Sequence, residues 1–184
     1  ETMRLFHYYE KEIGPFMNLS DLKIEDAKNI MNIIYNNKAI FASNRDEIYL
    51  ERRFEYEDIV KKIFISKGGR VNRRRPHYMT LEDCPWLLSW YKDGTSISIE
   101  IKDIDTNYIS FTYGDMFPVF GSRGDDSKEY RKQVYTYEEI LKIIDKYGLP
   151  QSWNPLGEQG PIRYIEAQIW DDAIIKTIKI RNGF

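Results

Sequence analysis

The chain has 184 residues, of which 42% are apolar and 15% aromatic, a load that excludes disorder and suits one domain with a real core. A formal charge of −2 gives no global attraction to nucleic acid or to an anionic membrane, so either partner needs a local patch. One cysteine, Cys84, excludes an intramolecular disulfide, and with only two histidines it falls short of a Cys/His zinc site, which points to a reducing, cytoplasmic compartment.

No apolar run approaches the roughly 20 residues of a membrane helix. The first residues lack the apolar core of a signal peptide, and Glu1-Thr2 read as an addition ahead of Met3. Arg4–Tyr9 is short and aromatic and reads as a strand. After the loop signals Gly14-Pro15 and Asn18–Asp21, Ile24, Ala27, Ile30, Met31 and Ile34 repeat at helical spacing, and Asn36-Asn37 ends that helix. Asp46–Ser66 holds no Gly or Pro and predicts a longer helix with a stripe of Tyr49, Tyr56, Ile59, Val60 and Ile63, stopped at Gly68-Gly69.

A basic segment follows, with Lys67, Arg70, Arg73, Arg74 and Arg75 inside nine residues, then His77 in a loop and an apolar stretch from Cys84 to Tyr91. Ser96–Ile101 alternates and predicts a strand with Ile97, Ile99 and Ile101 on one face; Tyr108–Tyr113 predicts another. Phe117 to Asp126 reads as a polar loop. Thr136 and Glu139 form a capping box for a helix that ends at Tyr147, with Gly148 and Pro150 as stops. The loop 151–161 leads to a strand over Tyr164–Trp170, and Ile174–Ile180 is expected to be its hairpin partner. The element order lacks regular βαβ alternation, and there is no linker or repeat. The expectation is a single α+β domain over 1–184, mostly antiparallel sheet with three principal helices.

Several residues are candidates for chemistry. Period two puts Tyr164, Glu166, Gln168 and Trp170 on one strand face, so Glu166 has aromatic neighbours and can hold a ribose hydroxyl or stabilise a developing cation; the plain alternative is a half-exposed edge glutamate. His7 sits among aromatics and either binds a ligand or bonds a backbone carbonyl. Arg73, Arg74 and Arg75, with His77 beside them, offer forks for phosphates of a nucleotide, nucleic acid or phosphorylated partner, or are a solvated run paired with acids of the long helix. Tyr113 and Asp115 lie at a strand end. Trp86, Trp90 and Trp153 are candidates for a protein-docking surface. No P-loop, Rossmann, nucleophile-elbow or zincin motif occurs, and Cys84 before Pro85 reads as buried.

Three of these segments, in order, resemble the ADP-ribosyltransferase-like fold in its His–Tyr–Glu branch: Leu5-Phe6-His7-Tyr8-Tyr9, Ile109-Ser110-Phe111-Thr112-Tyr113 and Tyr164-Ile165-Glu166-Ala167. The resemblance implies NAD as substrate, with His7 and Tyr113 (or Ser110) on the nicotinamide half and Glu166 on a ribose hydroxyl, where it stabilises the transition state. Apart from the resemblance, the residues themselves make Ser110, Trp170, His77 and Arg73–Arg75 candidate ligand contacts. Two features depart from the family: Tyr164 stands where arginine-modifying members carry Gln or Glu, and Glu10–Pro15 replaces the small-residue loop. The chain as a whole also looks like a bacterial family that brings no activity with it. The expectation is an NAD-dependent ADP-ribosyltransferase-like or NAD-glycohydrolase-like enzyme without a metal. The alternative is a non-catalytic module that binds nucleic acid or a phosphorylated partner through Arg70–Arg75.

Overall fold

The computed structural model describes residues 2–34, 45–122 and 124–184, with backbone alone at 32–34 and 45–47. In chain order the elements are β1 (Arg4–Glu10), α1 (Ile24–Ile34), α2 (Arg45–Ser66), β2 (His77–Leu81), β3 (Gly94–Glu100), β4 (Ile109–Thr112), α3 (Met116–Phe120), α4 (Tyr137–Tyr147), α5 (Pro150–Trp153), β5 (Ile165–Ile169) and α6 (Asp172–Arg181). The five strands form one antiparallel sheet in the order β3-β1-β2-β5-β4. The protein is a single α+β domain.

The two-residue period of each strand decides which layer it serves. Leu5, Leu81, Ile99, Ile109, Phe111, Ile165, Ala167 and Ile169 point to one face, where Ile140 and Ile143 of α4 and Ile174, Ile175 and Ile178 of α6 complete the main core. Trp170 and Tyr78 lie on the other face, which Tyr56, Val60 and Phe64 of α2 cover together with Met116. Helices therefore flank the sheet on both sides.

Most elements fall where the pattern puts them, and the capping box of Thr136 and Glu139 is present in full. Several expectations are corrected. Ile174–Ile180 is part of α6 and not a hairpin strand: Asp171 caps it by accepting from the Ala173 amide, and its apolar residues bury at 174, 175 and 178 while Ile180 stays 61% exposed. Four helices reach seven residues among those described, one more than expected. His77 lies in β2, buried, and not in a loop. Phe117 opens no polar loop; with Met116 it forms α3, capped by Asp115. Tyr108 belongs to a 3-10 turn before β4, and Tyr113 follows its end. Ile59 faces outward at 41% exposure, and Leu50 and Phe64 take the place given to it on the buried stripe of α2. The stop at Asn36-Asn37 lies outside the described residues.

Gly68 and Gly69 close α2 as expected. Gly68 has φ +87°, and a Cβ on Gly69 would meet the Phe64 ring at 2.5 Å. Their amides donate to Ile65 and Phe64 carbonyls, so both are spent on the helix end. No described helix is long and apolar enough to cross a membrane.

Candidate acid–base site

β1 pairs with β3 along its whole length, yet meets β2 only at Leu5↔Leu81 and Phe6↔Thr80. Beyond those two pairs the strands part. The gap opens a cavity of about 190 Å³, closed by the 13–19 segment, by Tyr49 and Arg53 of α2, by Asp115–Phe117 and by the Leu87–Tyr91 turn. The space is large enough for one ring with its substituents.

Glu166 stands in its wall. β5 is an inner strand, so the face that the sequence leaves open to solvent is covered: Glu166 is 5% exposed, and Gln168 and Trp170 are fully buried. Opposite it comes Asp115, at the N-terminus of α3. The Asp115 carboxylate accepts from the Phe117 amide at 2.7 Å and from the Tyr164 hydroxyl at 3.2 Å. Burial raises the pKa of both acids, and the negative charge of Asp115 raises that of Glu166 further, well above the usual carboxylate range. Asp115 accepts from these two donors, whereas Glu166 accepts from the Gln168 amide at 3.1 Å. Of the pair, Glu166 is the carboxyl held well above the usual range.

The walls are aromatic. Tyr49 stacks on Phe117 with centroids 4.8 Å apart, and the Arg53 guanidinium lies 4.7 Å over the Tyr78 ring. Most of the tyrosine hydroxyls are already committed: Tyr78 to Glu57, Tyr8 to Asp83, Tyr91 to the Tyr8 carbonyl and Tyr164 to Asp115. These tyrosines line the cavity with their hydroxyls already bonded. Arg53 is anchored by Asn18, Ser20 and Glu57 at 3.1, 2.8 and 3.2 Å, and its charge favours the ionised form of both acids.

His7 lines the same cavity as Glu166. It does so from the opposite face of the sheet, on the row of Leu5 and Tyr9, whereas Glu166 shares its row with Thr80 and Phe6. Its Nδ1–H donates to the Tyr78 carbonyl at 2.9 Å and its Nε2 accepts from the Phe16 amide at 2.8 Å. Both ring nitrogens are used by backbone, and burial lowers its pKa to about 4. Phe16, at φ +61°, stacks on the His7 ring at 3.9 Å. Burial, reinforced by Arg73, pushes His77 down to about 3. Tyr113 is elsewhere: it sits in the main core, donates to the Gly148 carbonyl at 2.7 Å and accepts from Trp153 at 3.0 Å. Ser110 and Trp170 lie beneath Glu166, joined to it through Gln168. Of the three residues that the resemblance joins, only Glu166 offers a reactive group to the cavity.

The basic segment is drawn into the fold. Arg73 bridges Asp21 and Asp172, and Arg75 is buried against Asp58, the Phe54 carbonyl and the Phe54 ring. Arg70 and Arg74 remain exposed. Trp86 lies under Arg163 at 3.9 Å, Trp90 is 39% exposed at the cavity, and Cys84 is buried. Among the described residues no cluster of His, Cys, Asp and Glu could hold a metal ion.

Arg53 is not among the candidates that the sequence offers; Asp115 is, at a strand end, and Gln168 enters there only as a neighbour of Glu166 on one strand face. A signal existed for Arg53: with Tyr49 and Glu57 it recurs every fourth residue, on the buried side of α2 beside Tyr56 and Val60. Comparison with protein-family models, with curated proteins and with solved structures finds no match for this chain.

Proposed function

We propose that the cavity is the acid–base site of a hydrolase acting on a small, ring-bearing glycoside. The observation that carries this reading is the pair of buried carboxyls, Glu166 and Asp115, in the wall of one aromatic cavity, with Glu166 raised well above the usual carboxylate range. Paired carboxyls of unequal environment supply one acid and one base at the same pH. Asp115 takes a proton from water as the water oxygen bonds to the anomeric carbon. The bond to the leaving base breaks with its electron pair going to nitrogen, and Glu166 gives that nitrogen its proton. Return of the proton from Asp115 to Glu166 resets the pair.

NAD remains a substrate to test, because its nicotinamide ring matches the cavity in size. Nicotinamide is a cationic substituent that departs neutral and needs no proton. An acid-form Glu166 helps a neutral base more, so the reading ranks nucleosides above NAD. The test is release of free base from a purine nucleoside, a pyrimidine nucleoside and NAD. Glu166→Gln and Asp115→Asn are expected to lose about 10²–10⁴-fold on nucleosides, and Glu166→Gln less on NAD. No release from any of the three, or unchanged rates in both variants, would overturn the assignment.

A further inference from the structure

Beneath Glu166 a chain of buried polar groups runs across β5 and β4, and one arrangement of its donors and acceptors joins them all. Trp170 Nε1, a donor only, gives its hydrogen to Ser110 Oγ at 2.9 Å. Ser110 in turn donates to Gln168 Oε1 at 2.8 Å. At the other end Thr112 spends its hydroxyl hydrogen on the Gly114 carbonyl at 2.8 Å, so its oxygen can only accept from Gln168 Nε2, at 3.0 Å. The Gln168 amide is thus fixed from both ends, and the second hydrogen of Nε2 must point at Glu166 Oε1, 3.1 Å away. A flipped amide would draw the Thr112 hydroxyl away from the Gly114 carbonyl and take from Ser110 its acceptor.

We infer that Gln168 is a positioning residue: locked by Ser110 and Thr112, it makes Oε1 of Glu166 the accepting oxygen and leaves the transferable proton to Oε2. The inference rests on the acid–base reading of the cavity for its functional meaning, and on the hydrogen-bond chain alone for its geometry. Gln168 also tempers the acid. Burial and Asp115 hold the proton on Glu166, whereas an amide donor favours release. Four residues with no access to a ligand, Ser110, Thr112, Gln168 and Trp170, thereby act on the one that has it.

The test follows the Glu166 carboxyl by carbon NMR in protein labelled at glutamate, with Glu166→Gln to assign its signal. Gln168→Leu is expected to shift the Glu166 titration to higher pH, and Thr112→Val, which removes one lock without changing shape, to shift it the same way by less. Where turnover is measurable, the alkaline limb of the pH–rate profile moves up with it. A Glu166 titration unchanged in Gln168→Leu overturns the inference; if that variant does not fold, an unchanged titration in Thr112→Val does so. Because the titration needs no substrate, failure of the hydrolase reading and failure of this one are told apart.

Discussion

At the scale of single residues, the fold holds three titratable groups away from their ordinary charge state, and their effects on stability have opposite signs. Glu166 keeps its proton when folded. Below its ordinary value of 4.5 both states are protonated; above it the unfolded chain releases the proton and the folded chain does not. Folding therefore loses stability as the pH rises from 4.5 toward the raised folded value. Glu166→Gln should raise the melting temperature at pH 8 and leave it nearly unchanged at pH 4, as thermal melts at the two pH values will report. The histidines work the other way. Above 6.5 both states are neutral; below it the unfolded chain takes up protons that His7 refuses down to about 4 and His77 to about 3. Stability falls as the pH drops through that window. At pH 5 the two rings should add about two protons to the uptake on unfolding, read by titration calorimetry as the difference between the protein and its His7→Gln/His77→Gln variant. A difference near zero would mean that the two rings are not buried neutral.

At the scale of elements, the cost of losing a contact follows burial. Ile178 in α6 is fully buried against the sheet, and Ile178→Ala should cost about 2–5 kcal/mol in denaturant unfolding. Thr136→Ala removes half of a complete capping box and should cost about 1 kcal/mol. These two elements also show what the sequence discloses. α4 carries its signals locally, in Thr136, Glu139 and Gly148, so its start and end were legible. In α6 the run Ile174-Ile175-Lys176-Thr177-Ile178-Lys179-Ile180 alternates well enough to suggest a strand, and its β-branched residues favour one. Burial of Ile174 with Ile175, plus the Asp171 cap, decides for the helix; the first is a tertiary effect. The β2 strand was hidden for a related reason. His77-Tyr78-Met79-Thr80-Leu81 is buried on both faces, which removes the alternation that marks an exposed strand.

At the scale of the whole molecule, the site exists because two adjacent strands separate after two residue pairs, and no local pattern announces such a split. Glu166 was legible as a candidate because its aromatic neighbours lie at period two in one strand. Asp115 and Arg53 reach it from α3 and α2, 51 and 113 residues away in sequence, a juxtaposition that only the fold supplies. The same fold spends Tyr113 on the opposite core and Arg73 and Arg75 on joining α2, the 3-10 turn at Leu19–Asp21 and α6. Acid–base chemistry of the proposed kind requires a proton on Glu166 at neutral pH. Infrared difference spectroscopy of wild type against Glu166→Gln at pH 7 reads it directly, since a protonated carboxyl and a carboxylate absorb at separate frequencies. A carboxylic-acid band is expected in the wild type and is lost in the variant; a carboxylate band alone at that position would overturn the acid–base site.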